Sequence, residues 1–280
     1  MLVCLAVLGG CTTRTPFAGL VEARRLAADL QVEFTRGADA ANRAVMADTD
    51  EASVTYAREA TTAADAVQKN TDALASVLTE SGFSEEAGQL QEFRTKFAEY
   101  RTLDRTILDL AVENTNLKAQ RLSFGDARKA ADAFRNALNT VTTASPARDL
   151  WRVKALAATA VADVREIQAL QAPHIAEADD AAMTALESQI TTAATEARRA
   201  LDDLNEVTPP ASRSGLAAAR TEFDRFMQLN AQIVALSRRN TNVRSLALSL
   251  NQKRVVTATC EASLQSLRDL LARRSFAGTR

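Results

Sequence analysis

From Phe17 onward, apolar and small residues recur at steps of three and four, the spacing of one buried helix face. In the first such stretch the seam runs through Val45, Ala52, Tyr56, Ala60, Ala63, Val67, Leu74 and Val77. Breakers at Ser81-Gly82-Phe83-Ser84, Ser145-Pro146 and Pro209-Pro210 divide the chain into four such stretches, ending near Thr79, Thr143, Pro209 and Leu271. A helix of about 60 residues rises about 90 Å. Helices of that length curve or break, which makes Gly37, Gly125 and Pro173 candidate interruptions.

The second and fourth stretches repeat one another at a constant offset. Phe97-Ala98-Glu99-Tyr100 lies over Phe223-Asp224-Arg225-Phe226, and Leu103, Ile107 and Leu110 fall on Leu229, Ile233 and Leu236. Asn114-Thr115-Asn116 falls on Asn240-Thr241-Asn242. The first and third stretches match less well, yet Thr61-Thr62-Ala63-Ala64 lies over Thr191-Thr192-Ala193-Ala194. The pattern is a duplicated helical hairpin. The expectation is an all-α, elongated, up-down-up-down four-helix bundle, with one hairpin over residues 17–145 and the second over 146–280. The alternative is that the interruptions divide the rod into two stacked, shorter bundles.

Composition agrees with helices and excludes other classes. Nine glycines and five prolines are too few for the turns of a β-rich protein of 280 residues. A hydrophobic share of 46% supports a core, and a net charge of −1 offers no basic field for nucleic acid. No nucleophile elbow, phosphate loop, HExxH or Glu-x-x-His spacing is present, so no enzyme, metal or cofactor is expected. Of the three cysteines, Cys260 alone lies on a helical pattern, where a buried, inert thiol is expected.

Residues 1–10 form a short apolar run, and Leu8-Gly9-Gly10-Cys11 resembles the lipobox of bacterial lipoproteins. That resemblance implies cleavage before Cys11, lipidation of Cys11 and a polar tether over residues 11–16. A cut signal peptide or a membrane anchor are the alternatives.

The segment Glu113-Asn114-Thr115-Asn116-Leu117-Lys118-Ala119, with Asp48-Thr49-Asp50-Glu51 before it, resembles the four-helix-bundle sensory domain of methyl-accepting chemotaxis receptors. The resemblance implies a bundle outside the inner membrane that binds small ligands, or ligand-loaded partner proteins, at a subunit interface. No second apolar span and no signalling hairpin accompany it here. The expected role is therefore a lipid-anchored sensory or partner-binding module on the periplasmic side of the envelope, without its own signalling domain. The alternative is a structural spacer or scaffold lipoprotein. A membrane, another envelope protein, a small ligand and a second copy of the chain are the expected partners.

Folding each hairpin on itself places Thr49, Asn114, Asp179 and Asn240 at one level, one per helix, with Asn116 and Asn242 beside them. Such a layer is either a self-satisfied register device, like a buried Asn in a coiled coil, or a pocket for a cation or amine. His174, the single histidine, is expected at a kink or on the surface, and Trp151 as a plug at the bundle end.

Overall fold

Two short polar turns change the architecture that periodicity alone suggests. The computed structural model describes residues 16–275, which are helical almost throughout and contain no strand. The first apolar stretch is a hairpin, α1 (Pro16–Val45) and α2 (Asp50–Glu80), rather than one helix. Thr49 is the reason: its Oγ1 accepts the Ala52 N–H at 3.1 Å, and Asp50 and Glu51 stand in the first turn. An N-cap with acids behind it starts a new helix. Asp179 does the same for the third stretch, dividing it into α6 (Leu150–Ala176) and α7 (Asp180–Val207), with Oδ1 accepting the Ala182 N–H at 2.8 Å.

The other two stretches stay long but are interrupted. Residues 84–143 comprise α3 (Ser84–Glu113), α4 (Thr115–Leu122), a π-helical turn (Ser123–Ala127) and α5 (Arg128–Thr143). Residues 213–273 repeat this as α8 (Arg213–Arg239), α9 (Thr241–Leu248), a second π turn (Ser249–Lys253) and α10 (Arg254–Arg273). Among the candidate interruptions, Gly125 sits in the first π turn, whereas Gly37 and Pro173 lie within unbroken helices. The duplicated element is thus a hairpin plus one long interrupted helix.

The chain divides into two compact units. Among the described residues the first holds 16–112 and 246–275, the second 113–245. The expected single bundle of two hairpins, 17–145 and 146–280, is replaced by this division, because each hairpin turn and each interruption ends a packing surface. In the first unit α1, α2, α3 and α10 surround Phe34, Phe93, Phe97 and Tyr100, all buried, with Phe34 meeting the other three rings at centroid distances of 5.1 to 6.2 Å. In the second unit α5, α6, α7 and α8 enclose Phe134, Leu138, Phe223 and Phe226. No helix among the described residues is long and apolar enough to cross a membrane.

The α2–α3 connection shows how little sequence a turn needs. Gly82 takes φ +71°, Phe83 N–H reaches Leu78 O at 2.9 Å and Gly82 N–H reaches Thr79 O at 3.1 Å. That pair of bonds, with Phe83 and Leu78 both buried, closes the helix end and satisfies its last carbonyls.

Glycine also sets the α1–α2 distance. A Cβ on Gly37 would lie 3.2 Å from Ala63 Cβ, while one on Gly88 would meet nothing within 4 Å. Gly37→Val should therefore lose about 1–3 kcal/mol of stability through overpacking. Gly88→Ala should gain about 0.5–1 kcal/mol through helix propensity. Urea melts of the two variants, read by far-ultraviolet circular dichroism, check the opposite signs.

Candidate functional site

Two asparagines occupy a backbone region that few side chains tolerate. Asn114 has φ 50° and Asn240 φ 53°, both left-handed, and each breaks its long helix for one residue. Asn adopts this conformation more readily than other L residues because its short amide makes local hydrogen bonds. Each break exposes the first N–H groups of a new helix, α4 or α9, inside the protein.

The two helix starts cap each other. Thr115 N–H donates to Thr241 Oγ1 and Thr241 N–H to Thr115 Oγ1, both at 3.1 Å. Asn116 N–H donates to Asn242 Oδ1 at 3.2 Å, and Asn242 N–H to Asn116 Oδ1 at 3.1 Å. Asn116 Nδ2 also reaches Asn240 Oδ1 at 2.7 Å and Ile175 O at 2.6 Å, while Asn242 Nδ2 reaches Asn114 Oδ1 at 2.8 Å. Partners in the reciprocal pairs stand 126 residues apart. That is the offset of the repeat, so the two repeats meet here about a local two-fold. Asn240 Nδ2 donates to Glu177 O at 2.7 Å, whereas Asn114 Nδ2 has no hydrogen-bond partner among the described residues.

The structure therefore brings together four of the residues expected in the polar layer, Asn114, Asn116, Asn240 and Asn242, and adds Thr115 and Thr241. It leaves out two. Thr49 and Asp179 spend their side chains on the N-caps of α2 and α7, and Asp179 is exposed. Their polarity starts helices instead of filling a core.

A second polar layer, which periodicity does not mark, takes a different form in each unit. In the first unit Lys253 Nζ meets Asp104 Oδ1 at 2.5 Å, with only 3% and 6% of the two side chains exposed. Lys253 also lies 5.3 Å from the centre of the Tyr100 ring, and Tyr100 Oη has no hydrogen-bond partner among the described residues. Burial pushes the Asp104 carboxyl above its ordinary value and the Lys253 ammonium below its own, against the pull of the partner in both cases. Burial also raises the Cys260 thiol to about 12, so this cysteine is a poor nucleophile.

Shifted by the repeat offset, Asp104 and Lys253 correspond to Asn230 and Ala127. In the second unit Asn230 Oδ1 accepts from Gln171 Nε2 at 2.9 Å, and Gln171 Oε1 accepts from Ser123 Oγ at 2.7 Å. Gln171 stands where Ala41 stands when the caps Asp179 and Thr49 are aligned. One unit uses a long cation from the π turn and an alanine on the hairpin, and the other reverses the sizes. At the repeat offset the sequence shows the changed residues but not which of them meet.

His174, in the second unit, is fully buried rather than at a kink or on the surface. Its Nδ1 lies 2.5 Å from Ser237 Oγ and its Nε2 2.9 Å from Glu187 Oε1, which also accepts from Arg238 Nε at 2.6 Å. The Arg238 hydrogen bond, with help from His174, holds the Glu187 carboxyl below its ordinary value. Trp151 is not a plug: 73% of it is exposed.

Beside each π turn lies a groove. In the first unit α1 and the second π turn with α10 enclose about 420 Å³, against Val45, Met46, Leu250 and Lys253. In the second unit α6 and the first π turn with α5 enclose another of about 420 Å³. Ser249, Leu250, Arg254 and Glu261 in one groove replace Ser123, Phe124, Arg128 and Arg135 in the other, each at the repeat offset. π turns insert one residue into a helix and occur often at functional sites. Among the described residues no group of three or more His, Cys, Asp or Glu is placed to hold a metal ion. Comparison with family models, curated proteins and solved structures returns no match for this chain.

The polar layers give two expected outcomes. Asp104→Leu alone should cost about 3–5 kcal/mol, since it strands the buried Lys253 ammonium, and Asp104→Leu with Lys253→Met should recover most of that loss. Chemical denaturation of both variants separates them. Asn116→Ala should cost about 2–3 kcal/mol, because Asn242 N–H and Asn240 Oδ1 lose buried partners. Asn116→Asp should cost more, because its carboxylate would face the Ile175 and Asn240 oxygens. Thermal melts at neutral pH give the order.

Proposed function

We propose that this chain is a non-catalytic binding module of the bacterial envelope, held on the periplasmic side of a membrane by a lipid on Cys11. Cys11 lies outside the described residues, and the tether rests on the lipobox resemblance of Leu8-Gly9-Gly10-Cys11. The resemblance of the Asn114-Thr115-Asn116 region to chemoreceptor sensory bundles favours capture of a small molecule or of a ligand-loaded protein. One observation carries the binding role: the duplication has produced two grooves at corresponding positions, each beside a π turn and each over a buried polar layer. A concave site with a few fixed polar groups suits a small ligand.

Catalysis finds less support. Ser237, His174 and Glu187 line up as a serine, an imidazole and an acid, yet Ser237 and His174 are both fully buried. No substrate carbon reaches Ser237 Oγ, and a triad is judged by geometry and access together. The line serves helix packing.

The second reading, a spacer or scaffold lipoprotein, is favoured by the mutual capping of α4 and α9. A layer that satisfies its backbone donors from within asks for no ligand. A thermal-shift screen of the full chain against small metabolites decides between the two, because a ligand of the native state must raise its stability. A ligand present at about 100 times its Kd should add about 2.7 kcal/mol of stability. If no small molecule shifts the melt and cross-linking in cells captures an envelope protein, the scaffold reading stands. Separately, Cys11→Ser should release the protein from membranes. A variant that still sediments with membranes after a high-salt wash would show that the tether lies elsewhere.

A further inference from the structure

The two grooves share an origin but not a charge. In the second unit three arginines, Arg128, Arg135 and Arg165, surround the groove, and the single acid among its lining residues, Asp132, is held by Arg135 at 3.2 Å. Arg128 and Arg165 have no ion-pair or hydrogen-bond partner among the described residues. Two cations beside one cavity without an ion-pair partner of their own repel each other, and an arriving anion relieves that repulsion.

The floor and wall of the groove restrict the ligand further. Ser123 and Gln171 line it, both more than nine-tenths buried and already hydrogen-bonded to each other, so a polar floor is built before any ligand arrives. Val161, Val164 and Ala131 supply an apolar wall, and Phe124, 62% exposed on the π turn, offers its ring beside them. An exposed aromatic next to a cavity gives an apolar body a surface to cover.

The first unit supplies an internal control. At the repeat offset Arg135 becomes Glu261 and Asp132 becomes Ala258, and the Lys253 that lines that groove is paired with Asp104. That groove keeps the apolar wall and one free arginine, Arg254 in the place of Arg128, but sets Glu261 beside it. Divergence has left two unpaired cations beside one groove and one, opposed by an acid, beside the other.

We propose that the groove of the second unit, between α6 and the first π turn with α5, binds an amphiphilic organic anion, its carboxylate, phosphate or sulfonate between Arg128 and Arg165 and its apolar body against Phe124 and Val161. The proposal rests on the binding-module reading and names the ligand class for one of its two grooves. The guanidinium groups donate charge-assisted hydrogen bonds to the anion, and the planar fork of arginine favours oxyanions over halides.

The test uses the full chain and two fluorescent probes of similar shape, anilinonaphthalene sulfonate and the uncharged N-phenylnaphthylamine. The wild-type protein should bind the sulfonate more tightly, and added salt should weaken only the sulfonate. Arg128→Glu with Arg165→Glu, both at exposed positions, should weaken the sulfonate by about tenfold or more and change the neutral probe by less than about twofold. Phe124→Ser should weaken both probes, and unchanged circular dichroism shows that the fold persists. If the arginine variant leaves the sulfonate affinity unchanged while Phe124→Ser reduces it, the groove binds apolar bodies without regard to charge. The anion proposal then fails and the binding-module reading survives. If Leu250→Ser in the first unit is the change that removes sulfonate binding, the proposal fails for this groove alone. If the wild-type chain binds neither probe, the proposal and the small-ligand reading fall together.

Discussion

The mutual capping of Asn114-Thr115-Asn116 and Asn240-Thr241-Asn242 is the contact on which the architecture turns. A helix broken in a protein interior leaves orphan N–H groups, and burying them unsatisfied costs about 1–3 kcal/mol each. Here two breaks supply each other's caps, so neither repeat can form its interruption without the other. The chain leaves the first unit at Val112, immediately before this contact, and returns to it at Leu246, shortly after. As a result α5 of the first repeat packs in the second unit and α10 of the second repeat packs in the first. The arrangement is an exchange of final helices within one chain, the intramolecular counterpart of domain swapping.

Duplication followed by divergence lets the two units report on one packing problem. At the layer of Asp104 and Asn230 both copies bury polar groups in an otherwise apolar core. One copy solves it with an ion pair, the other with a chain of neutral hydrogen bonds through Ser123, Gln171 and Asn230. The neutral solution avoids desolvating full charges, while the ionic one fills space from the π turn with the long stem of Lys253. Both place a polar group under the groove that the π turn opens. The layer just beyond repeats the lesson with different residues. Ser53 Oγ bridges to Ala44 O and Ala111 O in the first unit, whereas His174 and Ser237 meet in the second.

These layers also bear on function. Polar groups satisfied from within hold helices in register, and that is what the Asn–Thr contact and the His174 line do. Unpaired charges around a cavity do something else, since nothing in the fold requires them. Arg128 and Arg165 of the second groove belong to that second kind, which is why a ligand is proposed there and not at the asparagines of the repeated triplet.

By itself the sequence determined the helical class, the constant repeat offset and the ends marked by Gly82 and Pro209-Pro210, because three-and-four periodicity and turn chemistry are local properties. It also singled out the Asn-Thr-Asn pair, since a repeated polar triplet in an apolar seam stands out. What it hid was the division of the first and third stretches. The signals were present in Asp48-Thr49-Asp50-Glu51 and Asp179-Asp180, but a polar cluster at an inward step reads equally as a core layer or as an N-cap. Only the tertiary structure decided between them, by showing where the Thr49 and Asp179 oxygens go. The exchange of α5 and α10, the Asp104–Lys253 pair and the three arginines at one groove were likewise decided in three dimensions. Each joins residues on helices far apart in sequence, and periodicity fixes which face a residue occupies but not which helix that face will meet.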